Sequence, residues 1–168
     1  MFHQPGCNPP LPPGRNYGRL GRMASFVEKR FQAKKSLTVE EKERILAAIG
    51  EALEGELNLV FACVHGSFIK EDSFHDVDVG LFCKRPLSPI EELALEELLS
   101  SRTGLDVDVK CINEAPLSFQ MAVLRDGKLL LDRDQQLRTD FIDRVSRRFR
   151  DYAHFRNVFL GIDGLRPE

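Results

Sequence analysis

Four aspartates fall where buried strands are expected. Asp76 and Asp78 are separated only by Val77, and Asp106 and Asp108 only by Val107. Residues two apart on a strand point to one face, about 6–7 Å apart along it. If the two stretches are neighbouring strands, three or four carboxylates meet on one patch. Two like charges about 4 Å apart repel by about 4 kcal/mol at an effective dielectric near 20, so such a patch calls for a cation. Dense oxygen donors suit Mg²⁺ or Mn²⁺, which keep coordination sites for water and phosphate oxygens. For either pair alone a simpler account is preferred, a solvated face balanced by Lys70, Lys84 and Lys110. Two pairs on successive strands favour metal.

Gly66-Ser67 adds to this pattern. Glycine lets the backbone turn tightly and approach a ligand, and serine offers a hydroxyl and an N–H to a phosphate oxygen. A lone Gly-Ser carries little information. Its weight comes from the order: strand, Gly-Ser, loop, Asp-x-Asp strand, helix, then a third Asp-bearing strand. His65 and His75 flank this stretch and read as loop or packing histidines, with His75 the nearer to a phosphate.

The elements that must position these residues are legible from periodicity and caps. Thr38 to Glu41 has the S/T-x-x-E form of a capping box, and Ile45, Ile49, Ala52 and Leu53 then share a helical face. Leu57 to Val64 reads as a buried strand bounded by Gly55 and Gly66. Residues 66–75 are expected to be a loop and 76–83 a strand stopped at Pro86. Ser88 and Pro89 open a helix, with Glu91 and Glu92 suited to its positive end, running to about Ser100. Residues 105–112 make the third strand, 116–124 a short helix, Asp126-Gly127 a turn and 128–131 a short strand. A last helix starts near Gln135, with Leu137, Phe141, Val145, Phe149 and Tyr152 along one face. Strands alternating with helices indicate an α/β domain. The expected organisation is a disordered, basic Pro/Gly-rich tail over 1–35, a core over 36–131 and a C-terminal helical arm over 132–168.

The segments VHGSFIKEDSFHDVDVGLF and LDVDVKCINEAP resemble the DNA polymerase β-type nucleotidyltransferase superfamily. The nearest likeness is to the minimal nucleotidyltransferases encoded beside HEPN-domain partners. The stretch VLRDGKLLLDRDQQLRTDFIDRVSRRFRDYAHFRNVF is similar to that family's C-terminal half, so the likeness runs over residues 38–160. The resemblance implies a small mixed sheet flanked by helices. It implies that Gly66 and Ser67 hold the β- and γ-phosphates of an NTP, and that Asp76 and Asp78 bind divalent metal. A third carboxylate would activate the acceptor hydroxyl. Asp108 is preferred because the family's acid precedes an apolar strand end leading to Leu-Asn, here Ile112-Asn113, with Asp106 as competitor. Lys70 falls where the family often has a basic residue and would steady the triphosphate; a solvated loop lysine is the equal alternative. Two metals could then stabilise both the attacking and leaving oxygens of an in-line displacement that releases pyrophosphate.

The resemblance also implies a partner: a HEPN ribonuclease toxin silenced by AMP units taken from ATP, with this chain as antitoxin. A catalytically inactive, binding-only antitoxin and a nucleotidyltransferase acting on a small molecule are the alternatives. Enzymes of the latter kind usually carry an extra helical domain. Eight residues separate Ser67 from Asp76, fewer than the family commonly has, and Glu71 stands where it usually has glycine. That leaves the detailed phosphate contacts and nucleotide choice open. Arg148 and His154 have the R-x5-H spacing of a HEPN ribonuclease, but arginines are dense there and chance accounts for the match.

Composition sets the limits around this reading. At 168 residues, 42% hydrophobic and 30% charged, the chain suits one soluble core with appendages. Apolar runs fall short of the roughly 20 residues that span a bilayer, and the first residues lack a signal-peptide pattern. A cytoplasmic protein without a membrane partner is expected. The four cysteines show no zinc spacing and read as reduced, mostly buried thiols. Residues 1–35 hold seven Lys/Arg against one acid, and the remainder 17 against 25. The tail has the charge to touch nucleic acid or an acidic partner, but a solvated tail is the preferred reading and direct nucleic-acid binding is not expected.

Overall fold

The computed structural model describes residues 33–161. The tail expectation, and Cys7 with it, lies almost wholly outside these residues. The first long helix, α1 (Val39–Leu53), is closed at its start by the capping box read from sequence. The Glu41 N–H donates to Thr38 Oγ1 at 3.2 Å, and the Thr38 N–H donates to Glu41 Oε2 at 2.8 Å. Leu46, Ile49 and Leu53 are its buried residues. Strand β2 (Leu59–His65) follows, starting later than its apolar run suggests. Leu57 is 80% exposed and lies in the turn joining α1 to the strand.

The central sheet has the order β5-β4-β2-β6. Strand β4 (Val77–Cys83) runs antiparallel to β2, β5 (Val107–Cys111) runs parallel to β4, and β6 (Lys128–Asp132) runs antiparallel to β2. This is the expected small mixed sheet. Parallel pairing of β4 and β5 needs a crossover, supplied by helix α3 (Pro89–Thr103). Ser88 caps it in a second capping box, Pro89 occupies its first turn, and Gly104 ends it at φ 68°.

Helices cover both faces. Alternation on β4 sends Val77, Val79 and Leu81 into one core with Leu46, Ile49, Leu53, Leu95 and Leu99 of α1 and α3. The opposite core holds Phe61, Cys63 and Ile112, with Val123 of α4 (Leu117–Asp126) and Phe141 and Val145 of α5 (Gln135–Phe159). Phe82 and Phe141 pack there as a tilted ring pair with centroids 4.2 Å apart. The stripe expected along α5 buries only in its middle: Phe141 and Val145 are 1% exposed, Leu137 is 39% and Tyr152 53%. The helix outruns the core that could cover it.

Helix α3 also closes the β5 edge of the sheet. The backbone N–H groups of Cys111, Val109 and Val107 donate to Glu92 Oε1 (2.8 Å), Glu96 Oε1 (3.3 Å) and Ser100 Oγ (3.1 Å). Glu92 is buried at 7% and is also paired with Lys110 Nζ at 3.0 Å. These side chains satisfy donors that a sheet edge otherwise presents to solvent or to another chain.

The loop expected over 66–75 contains two elements that the sequence reading missed. Helix α2 (Ser67–Lys70) is a single turn, and β3 (Ser73–Phe74) pairs antiparallel with β1 (Lys35–Ser36). Phe68 and Phe74 are fully buried, edge-on at 4.8 Å, and the Lys42 ammonium sits over both rings. Two phenylalanines thus anchor a segment too short for periodicity to reveal. Cys63, Cys83 and Cys111 are buried free thiols, as read from sequence, and burial pushes the Cys63 thiol up to about 11.

Candidate active site

The end of β2 builds the site. Gly66 follows its last residue with φ 77° and ψ −159°, a conformation essentially restricted to glycine. A methyl group at this position would collide with the Asp78 carboxylate. Glycine is therefore required twice, for the backbone turn and for the approach of the acid. Ser67 opens α2, and its carbonyl accepts from the Glu71 N–H at 2.8 Å.

The sheet register brings the acids together. His65 on β2 faces Asp78 on β4, and Asp78 faces Asp108 on β5. Asp76 immediately precedes β4 and stands on the same face as Asp78. One oxygen from each of Asp76, Asp78 and Asp108 lies within 4.8 Å of the others, the first two half-buried and Asp108 exposed. Asp106 does not join them among the described residues' clusters; its carboxylate pairs with Lys35 Nζ at 3.2 Å. Of the two candidates for the third acid, the geometry groups Asp108 with the pair. Two carboxylates on neighbouring strands and one just before β4 offer hard oxygen donors at a density that fits Mg²⁺ or Mn²⁺.

Lys70 lies at the end of α2, and its Nζ pairs with Asp126 Oδ2 at 2.7 Å. Arg125 donates to the same carboxylate from Nε and Nη2, both at 2.8 Å. The two cations hold Asp126 well below the usual carboxylate range. The sequence reading gave Arg125 no role and took Asp126 as part of a turn with Gly127, whereas both belong to the last turn of α4. The available signal was a charged pair just before a glycine that leads into a strand beside β2. His65 packs edge-on against Phe119 of α4 at 5.5 Å, and burial, then the Lys70 charge, holds its imidazole below its ordinary pKa. His75 Nδ1 is buried with no hydrogen-bond partner among the described residues. Arg148 and His154 are both exposed on α5, and six residues along a helix place them about 120° apart around it.

A mixed sheet flanked by helices thus carries a carboxylate triad beside a Gly-Ser turn. The polymerase beta nucleotidyltransferase family profile matches residues 47–136, more than half of the chain. The chain belongs to that family. No curated protein sequence matches it. In fold it is similar to a chain from the crystal structure of a toxin–antitoxin with AMP-PNP, at 20% identity and a TM-score of 0.61, covering 71% of this chain and 98% of that one. It is likewise similar to a chain from the toxin–antitoxin MntA–HepT, at 18% identity and a TM-score of 0.59, covering 73% and 99%. A third is a chain from a tri-AMPylated Shewanella oneidensis HEPN toxin in complex with MNT antitoxin, at 18% identity and a TM-score of 0.55, covering 74% and 97%. Among the described residues no helix is long and apolar enough to cross a membrane.

Proposed function

We propose that the chain is a metal-dependent nucleotidyltransferase that moves AMP from ATP onto a hydroxyl of a cytoplasmic protein partner, a HEPN-domain toxin, and so serves as its antitoxin. The observation that carries the reading is the convergence of Asp76, Asp78 and Asp108 beside the Gly66-Ser67 turn. Its fold likeness to chains of toxin–antitoxin structures, one holding AMP-PNP and one an AMPylated HEPN toxin, supports the choice of nucleotide and partner.

In this reading the Ser67 N–H and hydroxyl hold the triphosphate at the turn. Asp76 and Asp78, together with Asp108, would hold divalent cation, which would supply charge neutralisation for the phosphates. Asp108, the exposed member of the triad, faces the incoming acceptor and takes the proton of its hydroxyl. The acceptor oxygen bonds to the α-phosphorus as the bond to pyrophosphate breaks. The rigid strands contribute alignment, which is worth a large part of such a rate enhancement.

The test incubates the protein with Mg²⁺ and α-³²P-labelled ATP, with and without a HEPN partner, beside an Asp76→Ala/Asp78→Ala control. Label on the partner that vanishes in the control is the expected result. Binding of the partner with no label transferred from any NTP would sink the enzymatic reading and leave a binding-only antitoxin.

A further inference from the structure

Asp126 has no role in the reading above, yet it pairs with Lys70, the last residue of the helical turn that Ser67 opens. The β2–β6 ladder pairs Val64 with Lys128. Just before that pair, Gly127 lies against β2: a Cβ there would stand 3.2 Å from the Cys63 Cβ and 3.5 Å from the Val64 carbonyl oxygen. On the other side of β2, His65 faces Asp78. The turn thus has Asp78 against it from β4, and its helical end at Lys70 is tied to Asp126 at the junction of α4 with β6.

The junction is held tightly. A Cβ on Gly127 would also stand 2.5 Å from the Val123 carbonyl oxygen, so only glycine lets the chain leave α4 at this angle. Asp126 is therefore a fixed point, and its side chain is only 21% exposed. Lys70, by contrast, is half exposed on a flexible four-carbon stem.

An isolated carboxylate beside a triphosphate would repel it. Here Asp126 accepts from Lys70 at 2.7 Å and twice from Arg125 at 2.8 Å, so the group of three carries a net positive charge. An ammonium has three N–H donors. One bond to Asp126 leaves two for phosphate oxygens, and the bond removes much of the rotamer freedom that Lys70 would otherwise lose on binding nucleotide. Lys70 also ends the single helical turn that Ser67 opens, so its side chain leaves the backbone within one turn of that serine.

We propose that Asp126 is a positioning residue that aims the Lys70 ammonium at the triphosphate bound beside Ser67, and so sets affinity for ATP. This rests on the nucleotidyltransferase reading. Lys70 touches the nucleotide; Asp126 acts through Lys70.

The experiment measures Mg²⁺-ATP affinity of the full chain by calorimetry, and KM and kcat for transfer to the partner. Asp126→Asn is expected to weaken affinity and raise KM about tenfold, with kcat changed by less than about twofold, the pattern of a lost ground-state contact. Asp126→Glu should restore most of the affinity. Lys70→Met should show the same loss, and Lys70→Met/Asp126→Asn should be no worse than Lys70→Met alone, because the second change then has nothing left to act through. Unchanged affinity in Asp126→Asn, or additive losses in the double variant, overturns the inference. Tighter ATP binding in Asp126→Asn also overturns it, since it would make Asp126 a brake on Lys70. A wild-type chain that binds Mg²⁺-ATP but transfers nothing sinks the transfer reading while affinity still decides the role of Asp126. A chain that binds no Mg²⁺-ATP overturns both.

Discussion

Gly66 and Gly104 both have positive φ, at 77° and 68°, but their surroundings differ. Around Gly104 nothing lies within 4 Å of an added Cβ, whereas at Gly66 the added atom meets the Asp78 carboxylate. Gly104 sits in the left-handed region at ψ 14°, where a non-glycine residue costs about 1–2 kcal/mol. Gly66, at ψ −159°, lies in a region where the cost is about 1–3 kcal/mol, before any clash. Gly104→Ala is therefore expected to lower unfolding free energy by about 1–2 kcal/mol and leave AMP transfer intact. Gly66→Ala pays its backbone strain and must also push Asp78 aside. Misplacing a reacting group by about 1 Å can cost about 100-fold in rate, and a loss of that order is expected here. Urea denaturation gives the stability of each variant, and label transfer from α-³²P-ATP under conditions where both remain folded gives the activity. If Gly66→Ala transfers within a few-fold of Gly104→Ala, Asp78 does not depend on the space above Gly66, and the account of the turn is wrong.

Other expectations concern the frame. Glu92→Ala leaves the Cys111 N–H without its acceptor, and a loss of about 1–3 kcal/mol is expected in urea denaturation, against about 0.5 kcal/mol or less for the exposed Glu97→Ala. Phe141→Ala opens a hole between Phe61 and Phe82 and should cost about 3–5 kcal/mol by the same measurement. The hydrogen bonds from the Arg85 side chain, then from Ser88, hold Glu91 down from its ordinary 4.5 to about 2. A depressed carboxyl stabilises the folded state above its unfolded pKa and loses that contribution as pH falls through the folded one. The melting-temperature gap between wild type and Glu91→Gln should therefore be constant near neutrality, shrink as pH falls below about 4.5, and be gone near about 2. A gap that persists at the acid end would assign the effect to packing instead.

The parts of the fold that sequence revealed are those in which local chemistry and tertiary structure agree. The Thr38 capping box and the Ser88 N-cap lie where residue type predicts, because caps satisfy backbone groups within one turn of chain. The acids were legible because a carboxylate alternating with valines on a strand contradicts its surroundings. Their mutual arrangement was not, since it depends on the Asp78–Asp108 register, which no local signal specifies. The one-turn helix and two-residue strands around Gly66 escaped because they are shorter than any period that could mark them. Leu57 was misplaced for a different reason: an apolar run shows what can be buried, and the turn at Glu56 decides where burial begins. The Lys70–Asp126 pair joins residues 56 positions apart, so only the folded chain could show it.

The three side chains of α3 that receive the β5 amides have a further consequence. Glu92, Glu96 and Ser100 are spaced by four on a helix, about 6 Å per step at 1.5 Å per residue. Their donors, Cys111, Val109 and Val107, are spaced by two on a strand, about 6.6 Å per step. The two scales run in opposite directions and nearly coincide, so the helix acts as a ruler laid against the strand. Shifting β5 by one residue would swing Asp108 to the other face of the sheet and leave each amide opposite the wrong mark. Placement of Asp108 is thus calibrated on the side of β5 remote from Asp78, by side chains outside the cluster of Asp76, Asp78 and Asp108. Loosening that calibration would blur the site without altering any residue in it.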